Sequence, residues 1–240
     1  MLLVLVGLLF WRYQFRGAKG LSSQTQDQLA QHYAKIESLG IGQDNFELHL
    51  RAFKQDKELE VWVKAKEQNE FKHLLTYPIC KNSGELGPKR KEGDRQVPEG
   101  FYHIDRMNPR SSFHLSMGLN YPNASDKIRG DQAEPGSDIF IHGGCVTVGC
   151  IPITNKKIEE LYTLVTKAQN NGQAKVPVHV FPARMDKASF LAHYDASPHQ
   201  GFWKELLPVY QYFETHHRLP EIEVSDDGAY VLVRDPSPGI

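Results

Sequence analysis

The sequence predicts a mostly-β fold with flanking helices, and three observations carry that prediction. Apolar and polar residues alternate with period two in several short runs. Clusters rich in Gly, Pro and charge separate the runs, as turns do. Three longer stretches, after Gly20, after Pro152 and after Phe190, change to helical spacing. Many short strands with Gly/Pro turns read as a β-sandwich or barrel.

The elements follow in order. Leu29, Tyr33 and Ile36 lie at helical spacing in a polar stretch closed by Gly40, which predicts a short lead-in helix. Phe46, Leu48, Leu50 and Ala52 alternate with Glu47, His49 and Arg51. Leu59, Val61, Val63 and Ala65 alternate with Glu60, Trp62 and Lys64, and the polar Lys54 to Lys57 between the two runs predicts a hairpin. A third strand is expected at Phe71–Ile79. Lys81 to Gly100 is loop by composition. Phe101–Ile104, Phe113–Met117 and Ile139–His142 read as further short strands. Ile158, Leu161, Tyr162 and Val165 predict a helix closed by Asn170-Asn171-Gly172, with Thr154 or Asn155 as its cap. Val176, Val178 and Val180 predict a strand in which Pro177 marks an edge or a strand start. Phe202, Leu206, Tyr210 and Phe213 form an apolar helical stripe that reads as core. Glu221–Val224 and Ala229–Arg234, around Asp226-Asp227-Gly228, predict a terminal hairpin.

Composition limits the function classes. The chain has 240 residues, with 28 Lys+Arg against 29 Asp+Glu and a formal net charge of −1. That balance offers no nucleic-acid footprint. Hydrophobic residues at 40% and charged residues at 24% are globular proportions, which exclude disorder for most of the chain. Three Cys cannot pair completely, so at least one thiol is free or pairs between chains.

Met1 to Trp11 reads MLLVLVGLLFW, uncharged and too short to span a bilayer. It matches the apolar region of a secretory signal, although no basic residue precedes it and Arg12, Arg16 and Lys19 follow. The expectation is export with an uncleaved anchor, or a start placed too late. A stray apolar N-terminus on a cytosolic protein is the alternative.

The chemistry concentrates in Ile139 to Pro152. An apolar strand ends at His142, the glycine-rich Gly143-Gly144 follows, and Gly149-Cys150 closes the loop. A cysteine nucleophile needs this combination. The thiolate is the reactive form, and a neighbouring imidazole keeps it supplied. Glycine lets the backbone approach a substrate closely, and backbone N–H groups around the cysteine can point at a developing oxyanion. Two other readings of these residues stand beside it. Cys145 and Cys150 can form a structural disulfide, or His142, Cys145 and Cys150 can bind zinc with His114 as a fourth ligand. Cys80, alone after Tyr77-Pro78-Ile79, reads as a small buried hydrophobe.

His142-Gly143 followed by Thr147-Val148-Gly149-Cys150-Ile151 resembles the signature of the YkuD-type L,D-transpeptidase family. The stretches Cys80–Lys89, Glu92–Tyr102, Phe113–Ser116, Tyr121-Pro122-Asn123 and Val178–Pro182 are similar to its YafK-like branch, in the same order. Val148 stands where many members have His, and Pro152 where an Arg is common. The resemblance spans roughly residues 45 to 215 and implies a YkuD-like catalytic β-sandwich/barrel plus a C-terminal helical extension. With the pattern of the flanking residues, the chain is expected to divide into an N-terminal signal or anchor segment (1–20), a helical lead-in (21–44), the catalytic domain (45–185) and a helical and hairpin extension (186–240).

The resemblance also implies a reaction. Cys150 attacks the diaminopimelate carbonyl of a peptidoglycan stem peptide and forms a thioester. His142 is the general base and then the acid, and Gly149 and Cys150 supply the oxyanion N–H groups. An attacking amine makes a transpeptidase. Attacking water makes a carboxypeptidase, or an endopeptidase that detaches a wall-linked lipoprotein. A non-enzymatic wall-binding module is the alternative of a different class. His114, Tyr121, Asn123, Gly143, Gly144 and Thr147 are the pocket candidates, with Thr147 either orienting His142 or bracing the loop. No metal and no cofactor is expected. The expected partners are stem peptides and a wall-attached lipoprotein, with membrane contact only through the N-terminal segment and a periplasmic or envelope location.

Overall fold

The computed structural model describes residues 20–234. The expected signal or anchor, Met1 to Lys19, lies outside the described residues. Among the described residues no helix is long and apolar enough to cross a membrane.

The chain order is α1 (Ser23–Ser38), β1 (Phe46–Phe53), β2 (Glu58–Ala65), β3 (Lys72–Pro78), β4 (Gly100–Asn108), β5 (Ser116–Leu119), α2 (Ala124–Arg129), β6 (Phe140–His142), β7 (Ile151–Pro152), α3 (Asn155–Asn170), β8 (Pro177–Phe181), α4 (Ala188–Tyr194), α5 (Gln200–His216), β9 (Glu221–Val224) and β10 (Tyr230–Arg234). Eight strands form one sheet in the order β3-β2-β1-β8-β4-β5-β6-β7, curled into a half-barrel, and β9 and β10 form a separate hairpin. The mostly-β class with flanking helices is therefore the observed one.

Each face of the sheet has its own core. On one side Leu48, Leu50, Val61, Ile141 and Val178 pack with Ile36 of α1 and Leu161, Leu164 and Val165 of α3. On the other, Phe53 and Phe181 pack with Trp203, Leu206 and Tyr210 of α5 and with Tyr230 of β10. Two of the three period-two polar residues of β1 are consequently shielded from water, while Glu47 stays partly exposed. His49 and Arg51 are buried, and Arg51 pairs with Glu60 (3.2 Å) and Glu214 (2.6 Å).

Several boundaries differ from the sequence reading, each for a local reason. The strand expected at Phe113–Met117 begins only at Ser116, because His114 has a left-handed φ of 76° that breaks an extended run. The apolar stretch from Phe190 to Phe213 divides into α4 and α5, while Pro208 sits inside α5 without ending it. Of the two positions expected for Pro177, the strand start is the one found, and β8 is not an edge strand. Pro177 begins β8, which lies between β1 and β4, and the β1 ladder starts one residue later at Val178, so the missing N–H is not needed there. Thr154 is the N-cap of α3 but makes no side-chain cap bond. The sequence reading lacked α2, which carries a capping box between Asn123 and Asp126.

The long loop between β3 and β4 is tied down. Glu99 and Lys54 form a buried ion pair (2.9 Å). Lys54 also donates to the carbonyls of Gly87 and Val97 (both 2.9 Å), and Glu99 accepts from Gly87 N–H (2.7 Å) and from the Trp203 indole (2.8 Å). Pairing and hydrogen bonding satisfy both charges, which a buried ion pair requires.

Candidate active site

The site lies where β6 meets β7. These strands are parallel neighbours, with Ile141 opposite Ile151 and His142 opposite Pro152. Parallel neighbours usually need a long crossover, but here residues 143–150 make the whole return. Glycine permits it: Gly144 and Gly149 have φ of 74° and 95°, where a side chain is strained. At Gly143 a Cβ would come within 2.6 Å of the Phe113 carbonyl oxygen.

The register decides which side chains share a face. Alternation puts Ile141 and Ile151 into the core, where both are buried. Continuing the register one residue back sets Cys150 beside Phe140. Cys150 and His142 then share the opposite face as diagonal neighbours. Among the described residues no hydrogen bond joins the two.

His142 is buried at the strand end. Its Nδ1–H donates to the Gly143 carbonyl (2.6 Å), which leaves Nε2 as the basic nitrogen. The ring of Phe113 covers it, with centroids 4.6 Å apart. Burial pushes the His142 pKa below its ordinary value, partly offset by the Gly143 bond. Burial pushes the Cys150 thiol up, partly offset by a backbone hydrogen bond from Phe140. Both shifts favour the neutral forms, thiol and imidazole.

Of the readings open for the cysteines, the free thiol at Cys150 is the one found, and the bond that forms is one none of them included. Cys80 is bonded to Cys145, with Cα atoms 5.6 Å apart, and Cys150 is free. Cys80 is therefore not a lone hydrophobe and Cys145 does not pair with Cys150. The three-ligand zinc arrangement also loses a ligand, since a disulfide sulfur offers no thiolate. The end of β3 and the loop that closes at Cys150, distant in sequence, meet here, and Cys80 N–H also donates to the Pro152 carbonyl (3.0 Å).

Both N–H groups expected to meet an oxyanion have hydroxyl partners. Gly149 N–H donates to Ser83 Oγ (2.7 Å). Cys150 N–H donates to Thr147 Oγ1 (2.9 Å), which donates in turn to the Cys150 carbonyl (2.8 Å). Of the two uses considered for Thr147, the one seen is the local brace.

The remaining candidates divide. Gly143 and Gly144 lie in the loop, and Gly144 N–H donates to Asn155 Oδ1 at the start of α3 (2.8 Å). His114 stands on the turn before β5, not on a strand, with Nε2 2.6 Å from Glu159 Oε1. Tyr121 donates to the Pro135 carbonyl (2.6 Å). Asn123 caps α2, donating to the Phe101 carbonyl (3.0 Å) and to the Tyr230 hydroxyl (2.8 Å). The polar groups of Tyr121 and Asn123 are committed to holding the fold around α2.

Residues 55–180 match the YkuD L,D-transpeptidase catalytic domain. Over 232 residues the chain is 35% identical to "Putative L,D-transpeptidase YafK" of Escherichia coli (strain K12), covering 96% of this chain and 89% of that one. The chain belongs to the YkuD family of L,D-transpeptidases. Among solved structures, the helical cell shape determining protein Pgp2 from Campylobacter jejuni superimposes with a TM-score of 0.46 at 20% identity, over 76% of this chain and 74% of that one. Bd1075 from Bdellovibrio bacteriovorus gives 0.41 at 21% identity, over 70% and 62%.

In this family member the sequence reading missed Ser83, Phe113, Asn155 and the role of Cys80. Cys80, Ser83 and Phe113 lie within the stretches similar to the family, and Asn155 was a cap candidate, but none of these signals gave them a place at the loop. Which of those residues reach the loop depends on pairings across the sheet.

Proposed function

We propose that the chain is a cysteine acyltransferase acting at the diaminopimelate carbonyl of peptidoglycan stem peptides. The observation that carries the reading is the placement of the free thiol Cys150 on the same sheet face as His142, whose tautomer is set by the Gly143 carbonyl.

His142 Nε2 takes the thiol proton as Cys150 Sγ forms a bond to the carbonyl carbon, and the C=O electron pair moves onto oxygen. The pair then returns, the C–N bond breaks, and the leaving amine takes the proton from His142. A thioester remains on Cys150. An incoming amine or water attacks it, again losing its proton to His142, and the thiol leaves. Amine attack forms a new cross-link, whereas water releases a trimmed peptide or a wall-attached lipoprotein. The exposed apolar side chains of Val146, Val148 and Phe113 around the loop suit an extended peptide carrying an aliphatic side chain. The Cys80–Cys145 disulfide supports an oxidising, envelope location, which fits the apolar N-terminal segment as a signal or anchor.

The test is incubation with purified peptidoglycan and mass spectrometry of the products, with Cys150→Ala as control. New cross-links identify amine attack. Loss of the terminal stem residue, or release of a diaminopimelate-linked peptide, identifies water. No product above the Cys150→Ala background, with wall binding retained, would replace the enzyme by a wall-binding module.

A further inference from the structure

Two successive N–H groups lead into Cys150, and both end on hydroxyl oxygens, those of Ser83 and Thr147. The two hydroxyls differ in the use of their own protons. Thr147 has spent its proton on the Cys150 carbonyl. Among the described residues Ser83 has no acceptor for its proton. A hydroxyl that already accepts an N–H bond is polarised into a better donor.

Ser83 is also held in place, although it lies in a loop. Three residues before it, Cys80 is bonded to Cys145 of the nucleophile loop. The neighbouring Asn82 side-chain amide donates to the Lys54 carbonyl, and the buried Lys54–Glu99 pair anchors the loop beyond it. A donor fixed before the reaction needs no reorganisation when charge develops, and this makes oxyanion stabilisation effective.

We propose that the Ser83 hydroxyl is an oxyanion donor for acyl transfer at Cys150. This rests on Cys150 being the nucleophile. As Cys150 Sγ bonds to the carbonyl carbon and the electron pair moves to oxygen, Ser83 Oγ–H donates to that oxygen. Gly149 N–H keeps its bond to Ser83 Oγ throughout. The charge is thus relayed to the backbone through the serine, and no existing hydrogen bond has to break. When the tetrahedral intermediate collapses, the pair returns to the carbonyl and Ser83 regains its free proton.

Two reactions of the same thiol separate this role from a structural one. Acetylation by p-nitrophenyl acetate passes through an oxyanion and releases p-nitrophenolate. Alkylation by iodoacetamide is a displacement at carbon with no oxyanion. Both are measured on the full chain, with Cys150→Ala as the blank and intact mass to locate the adduct. Ser83→Ala should slow acetylation by about 10²-fold, the scale for loss of one oxyanion donor, and leave alkylation unchanged. Ser83→Thr, which keeps the hydroxyl, should restore acetylation. Equal acetylation by wild type and Ser83→Ala overturns the proposal, as does a parallel loss of both reactions, or an absence of Cys150 acetylation in the wild type. The ester assay needs no wall substrate, so failure of the peptidoglycan reading is seen separately.

Discussion

Cys80 and Cys145 are joined by a disulfide that closes 65 residues of sequence. It fastens the end of β3 to the loop that carries Cys150. In the chain-entropy view a closure of that length stabilises the fold by about 4 kcal/mol, and typical native disulfides give about 2–4. Cys80→Ser and Cys145→Ser should each lower the denaturation free energy by a similar amount. The double variant should lose little more, since both changes break one bond. Additive losses in urea denaturation would contradict this.

The neutral forms favoured at Cys150 and His142 predict how the thiol reacts with pH. Burial holds the thiol above its ordinary value and the imidazole below. Iodoacetamide alkylation should be slow at neutral pH and climb steadily through pH 9, the ordinary thiol range. A rate plateau between pH 5 and 8 would instead mean a preformed thiolate–imidazolium pair.

Phe113 covers the His142 ring. Phe113→Ala should admit water and raise the His142 pKa toward about 6.5, its unperturbed value. NMR titration of the His142 ring protons checks this. The stability change should be modest, on the order of 1 kcal/mol, because Phe113 is 43% exposed. An unmoved titration would show that Phe113 does not shield the base.

A second prediction on pH concerns the buried rings of His49 and His179, which meet edge to face at 4.5 Å. Among the described residues, neither nitrogen of His49 nor Nδ1 of His179 has a hydrogen-bond partner. Burial first, and then neighbouring positive charge, holds both pKa values down, His179 to about 3. The unfolded chain therefore binds more protons than the folded one below pH about 6.5. Stability from these groups is fully present above that value. It is lost as pH falls toward 3, at up to about 1.4 kcal/mol per unit for each ring. His179→Phe should flatten this acid limb in denaturant melts, and an unchanged slope would clear His179 of the effect.

Local pattern determined much of this protein. Period-two alternation marked β1 and β2, helical spacing marked α1 and α3, and the glycine-rich run between His142 and Cys150 marked the loop of the candidate site, because each of these depends on residues close in the chain. Tertiary structure decided the rest. His49 and Arg51 on the polar face of β1 are dry because α5 closes over them, from about 150 residues further on. Cys80 finds Cys145, and Ser83 finds Gly149, because β3 and β7, the two ends of the sheet order, lie close enough for Cys80 N–H to reach the Pro152 carbonyl. The shared face of His142 and Cys150 follows from a parallel register set by hydrogen bonds between strands. Spacing along a chain reports its local periodicity, whereas a pairing between distant segments depends on how the whole sheet buries its two faces.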